Sequence, residues 1–150
     1  MYDSVFLASD EILRNQEGRK AIMLISDGVD HGSKVRETEA TDAAHRADTL
    51  VYSIRYYDSS AYAGTGGEGA TGARALKTLS QETGGRMFEV TKKLTLKEIY
   101  DQIQEELRNQ YNIGYTPSDA GGTGFRHIKL LTKDGKLQVV TRTGYYPRQP

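Results

Sequence analysis

Ser26-Asp27-Gly28, followed by Asp30, His31 and Ser33, groups more potential metal or ligand contacts than any other short stretch of the chain. Asp27 and its serine end an unbroken apolar run, Ala21 to Ile25. Such a run marks a parallel-sheet strand buried on both faces. Parallel sheets bind ligands in the crevice beyond the carboxyl ends of their strands, and that is where Asp27 would stand. A carboxylate there is either an oxygen contact for a hard cation such as Mg²⁺, Mn²⁺ or Ca²⁺, or the acceptor of an Asp-Gly turn. Ser26, Asp30 and His31 would form the next layer around such a cation or touch a partner. The simpler readings are that these residues face water and that Ser33 caps the following helix. A zinc site finds little support, because no second histidine lies at helical spacing from His31.

A second constellation is Gly64-Thr65-Gly66-Gly67-Glu68-Gly69, with Glu89 about twenty residues on. It matches the dinucleotide fingerprint literally and lies between a strand and a helix. Its first glycine follows the strand too late for the tight turn, and Glu68 would stand where a pyrophosphate should bind. A nucleotide- or dinucleotide-binding α/β protein using this loop is the alternative function; a solvent loop is the simpler reading. No Gly-x-Ser-x-Gly elbow or comparable spacing supports nucleophilic catalysis.

The elements that must position these residues alternate. Tyr2 to Gln16 reads as a helix with Val5, Ala8 and Ile12 on one stripe and Leu13 beside it. Lys20 to Ser26 is the apolar strand. Ser33 to Asp48 reads as a helix with Ala40, Ala43, Ala44 and Ala47 inward and His45 facing water. Leu50 to Tyr56 is a second strand. Leu76 and Leu79 mark a third helix ended by Gly84-Gly85, before a short strand from Arg86 to Val90. Thr95 and Glu98 form a capping box that opens a helix with Leu96, Ile99, Tyr100, Ile103 and Leu107 inward.

Strand-helix alternation implies right-handed crossovers and parallel pairing. The pattern then changes to alternating residues, in Tyr111-Ile113-Tyr115, Ile128-Leu130 and Leu137-Val139-Thr141, with Asp134-Gly135 as a hairpin signal. The fold class expected is therefore α/β: a partial doubly wound, Rossmann-like parallel sheet with helices on both faces, followed by three antiparallel strands.

Composition narrows the function classes. Twenty basic and twenty acidic residues cancel, so no net field draws in nucleic acid or anionic lipid. No stretch reaches the length of a membrane span. The chain has no cysteine, which excludes disulfides and thiolate chemistry.

Ile25-Ser26-Asp27-Gly28 after a strand, a helix, a second strand, and then Leu79-Ser80-Gln81-Glu82-Thr83-Gly84-Gly85-Arg86 before a short strand resembles a von Willebrand factor A domain. Tyr111-Asn-Ile-Gly-Tyr-Thr-Pro117, Phe125-Arg-His-Ile-Lys129 and Arg142-Thr-Gly-Tyr-Tyr146 resemble the closing strands of the bacterial, acidobacterial-type VWFA-related subfamily. The resemblance implies residues 1–110 as the C-terminal part of such a domain, and 111–150 as an antiparallel extension of the same unit. It also implies a metal-ion-dependent adhesion site, a non-enzymatic role in binding a protein partner through a carboxylate, and export or a cell-envelope location. Of that site only Asp27 has a counterpart here. The chain resembles the back half of the domain with its first strands missing. A metal site built from Asp27 alone is thus incomplete, and the apolar strand is expected to present an open edge prone to self-association.

Overall fold

The computed structural model describes residues 1–57, 67–118 and 122–147. Its main sheet is parallel, with β1 (Lys20–Ser26), β2 (Thr49–Arg55) and β3 (Met87–Glu89) in that spatial order. Around it lie α1 (Tyr2–Leu7), α2 (Glu37–Arg46), α3 (Glu68–Thr83) and α4 (Leu96–Arg108). The crossovers through α2 and α3 run in the same direction, so both helices pack on one face. Val5, Ala40, Ala44, Val51 and Leu79 fill that layer. Ile99 and Ile103 of α4 close the opposite face over Tyr52, Ile54 and Phe88. The α/β arrangement is the one the alternation predicts.

Local chemistry sets the helix ends. Glu98 accepts from the Thr95 amide at 2.7 Å while the Thr95 hydroxyl accepts from the Glu98 amide, so the expected capping box opens α4. At the other end of α3, Gly84 takes φ +87°, and the Gly85 amide donates to the Ser80 carbonyl at 2.9 Å. Ala40, Ala43 and Ala44 of α2 and Ala47 at its C-cap are all buried and let the helix approach the sheet closely. Ser33, by contrast, is not the α2 cap. The helix starts at Glu37, and the Glu39 carboxylate accepts from the Arg36 amide at 2.7 Å. Ser33 is engaged with Asp30 instead.

Four expectations about exposure change. Helix α1 runs on into a π-helical segment, Ala8–Leu13, marked by the Arg14 amide donating to the Ser9 carbonyl five residues back. Within this segment Ser9 is fully buried and Ile12 is 61% exposed. Leu96 and Tyr100 lie at the margin of α4 rather than inward. His45 does not face water: it is buried against Phe125, with ring centroids 4.9 Å apart.

The fourth change concerns the sheet itself. The apolar run is not the doubly buried strand. β1 is an edge, and Met23 and Ile25 are each about half exposed because α4 covers β2 and β3 but stops short of them. The strand with mixed polarity, β2, is the buried centre. Its Tyr52 phenol is pushed up to about 12 by burial, together with the neighbouring Glu106 carboxylate.

The C-terminal part forms less sheet than its alternation suggests. β4 (Arg126–His127) and β5 (Gly144–Tyr145) pair antiparallel, but residues 111–117 and 137–141 join no ladder. Tyr111 is 94% exposed and Leu137 62%. Alternation yields a strand only where a second layer buries one side of it, and these residues have none. The Asp134-Gly135 turn does close locally, with the Leu137 amide donating to the Asp134 carbonyl at 3.1 Å. What anchors this region is contact with the α/β layer. The Thr143 amide and hydroxyl both donate to Glu82, Arg142 pairs with Asp48, and the Tyr146 hydroxyl donates to Asp42.

Candidate functional site

The carboxyl end of β1 carries the site predicted from sequence. Asp27 is half-buried there, and its Oδ1 accepts from the Val29 amide at 3.0 Å and from the Ser26 hydroxyl at 3.4 Å. Ser26 in turn accepts from the Gly28 amide at 3.0 Å. The side chain thus closes an Asx-type turn around Gly28. Gly28 takes φ +88°, and a Cβ built on it would lie 2.2 Å from the carbonyl oxygen of Gly72. Only glycine lets the N-terminal part of α3 come this close to the strand end.

Asp30 stands apart from that turn. Its carboxylate accepts from the Met1 and Tyr2 nitrogens and from the Ser33 hydroxyl and amide. Burial pulls its pKa upward, but the Met1 ammonium, the Ser33 hydroxyl and the two amides outweigh it and hold the group far below the usual carboxylate range. Asp30 is therefore a brace between the start of the chain and the β1–α2 loop. His31 is exposed on the same loop and is not drawn toward Asp27. Of the four predicted residues, Ser26 and Asp27 come together, while Asp30 and His31 do not join them.

A hard cation needs about six oxygen donors. Asp27 offers one carboxylate, and Asp30 is occupied by four donors. Among the described residues no group of three or more His, Asp or Glu is placed to hold a metal ion. These residues by themselves do not fit a metal site.

Sequence reasoning missed the buried cation at the same end of the sheet. Arg55, the last residue of β2, donates to Glu89 Oε1 at 3.1 Å and to the Gly69 carbonyl at 2.8 Å, and its guanidinium lies 4.0 Å over the Tyr57 ring. Its Nε is buried with no hydrogen-bond partner. One side chain thus ties β2, β3 and the start of α3 together. The signal available in sequence was a lone arginine within an otherwise strand-like run, with an acid ending the next strand.

The same contacts bear on the glycine loop. Gly64, Thr65 and Gly66 lie outside the described residues. Gly67, at φ +103°, caps α3, and Glu68 is its first residue. Glu89, which a dinucleotide would need for its ribose, is paired to Arg55. Compared with protein-family models, curated proteins and solved structures, the chain matches none. No helix among the described residues is long and apolar enough to cross a membrane.

Proposed function

We propose that this chain is part of a non-enzymatic protein-binding module of the von Willebrand factor A type. It would present the Ser26-Asp27-Gly28 end of β1 to a protein partner. The observation that carries this reading is the position of Asp27: half-exposed, beyond the carboxyl end of a parallel strand, on a turn held rigid against α3. Ligands of open parallel sheets bind at this edge. Cation dependence belongs to this proposal only where oxygen donors beyond the described residues join Asp27. A partner carboxylate would then complete the coordination of Mg²⁺, Mn²⁺ or Ca²⁺. The dinucleotide alternative gains nothing from Glu89, whose carboxylate is already engaged.

Titration calorimetry with Mg²⁺ on the longer polypeptide carrying this sequence tests the reading. Heat that disappears in Asp27→Ala is expected. No heat, or heat unchanged by that substitution, refutes the metal-linked form of the proposal.

A further inference from the structure

The zero net charge of the chain hides a division. Residues 1–110 carry four more acids than bases, and residues 111–150 carry four more bases than acids. Much of that basic excess lies in one short stretch. Between Phe125 and Val140 stand Arg126, Lys129, Lys133 and Lys136 against a single acid, Asp134. None of the three lysines is in an ion pair among the described residues.

Every residue from Lys129 to Gln138 is exposed, so this stretch is a projection rather than a groove. It nonetheless has a defined shape. The Thr132 hydroxyl donates to the Asp134 carbonyl at 2.8 Å, and the Lys136 amide donates to the Asp134 carboxylate at 3.0 Å. With the Leu137 amide on the same carbonyl, these bonds close a tight tip. The one acid of the stretch is thus spent on holding the turn. Around the tip Leu131 is 73% exposed, Leu137 62% and Val140 53%, and Leu130 also meets water. Single exposed apolar residues are ordinary, but four within eleven residues form a patch that marks an interaction site.

The shape and charge of the tip select its partner. Protein interfaces depend on matched surfaces, and a projection of this kind offers no pocket for a partner's side chain. A bilayer needs no such match. Its headgroup boundary admits apolar side chains to a shallow depth, and firm attachment takes an apolar and a basic signal together. The tip has both. Lysine stems can lie along the leucines and keep their ammonium groups among the headgroups. Each lysine near an anionic surface strengthens binding about fivefold.

We propose that the tip between Lys129 and Val140 attaches the protein to an anionic phospholipid surface. Leu131 and Leu137 enter the headgroup boundary, and Lys129, Lys133 and Lys136 pair with lipid phosphates and carboxylates. The inference makes no use of Asp27 and stands independently of the proposed partner-binding role.

Cosedimentation with phosphatidylcholine vesicles, with and without phosphatidylserine, is the test, run on this chain and on the longer polypeptide carrying it. Both should bind the phosphatidylserine vesicles and let go in about 0.5 M salt, where charges are screened within a few ångströms. Replacing Lys129, Lys133 and Lys136 together by alanine should weaken binding about a hundredfold. Because all three are exposed, that variant should keep the wild-type circular dichroism spectrum. The chain has no tryptophan, so Leu131→Trp reports on the tip alone, and its emission should shift to the blue on phosphatidylserine vesicles. Absence of binding overturns the proposal, as does binding that survives loss of the lysines, which would use another surface. Unshifted emission from bound Leu131→Trp overturns the insertion of the tip. Binding by the chain but not by the longer polypeptide overturns it too, since the tip would then be covered. Capture by soluble polyglutamate, with the vesicles left unbound, overturns it in favour of an acidic protein.

Discussion

Truncating Arg55 should loosen the carboxyl end of the sheet, and the structure allows the size of the effect to be worked out. Arg55→Ala removes three contacts at once. The charged bond to the Gly69 carbonyl contributes about 1.5–3 kcal/mol. Stacking over Tyr57 adds about 1 kcal/mol. The Glu89 pair adds only about 0.5 kcal/mol, because the Glu89 side chain is 48% exposed and screened by water. Against these stands the buried Nε that has no partner, whose removal relieves about 1–2 kcal/mol. The net loss for alanine is about 1–3.5 kcal/mol. Arg55→Met loses the same three contacts and sheds the same orphaned donor, but its apolar stem keeps the space filled, so it should lose less than alanine while remaining measurably below wild type. Urea unfolding followed by circular dichroism reads both values. Amide exchange across residues 69–72 should accelerate in the alanine variant well before global unfolding. Alanine within 0.5 kcal/mol of wild type, or methionine as stable as wild type, would refute the assignment of Arg55 as the tie between β2, β3 and α3.

His45 supplies a pH dependence. Burial lowers its pKa below the usual histidine value; Glu82 and Asp42 oppose the shift and Arg142 adds to it. A base harder to protonate when folded favours the unfolded state on acidification. Its contribution is thus intact above the unfolded value of about 6.5 and lost as pH falls below it. Thermal midpoints between pH 7.5 and 5 should fall more steeply for wild type than for His45→Gln, and equal slopes would contradict this. Gly28→Ala should cost at least about 2 kcal/mol, since it combines strain at positive φ with a clash against Gly72. Gly32→Ala, at φ +78° but in open space, should cost about 1 kcal/mol. Thermal denaturation of the pair checks the difference, and equal losses would show that the close approach to α3 is unimportant.

The sequence by itself determined the order and type of the main elements. The Thr95–Glu98 box, the Gly84-Gly85 stop and the alanine stripe of α2 are local devices whose outcome depends on residues a few positions away. The turn at Asp27 was legible for the same reason. Burial was not. The most apolar segment lies at the edge and a strand carrying Tyr52 and Arg55 lies at the centre, because neighbours in the sheet and the reach of α4 decide which residues lose contact with water. His45 is buried through Phe125, eighty residues away in the chain. Asp30 turned from a candidate contact into a brace through its bonds to residues 1 and 2. The alternation after residue 110 promised strands, but a strand also needs a partner and a covering layer, and only tertiary structure supplies either. Periodicity and capping are written in neighbouring residues; exposure and charge pairing depend on which distant residues the fold brings alongside.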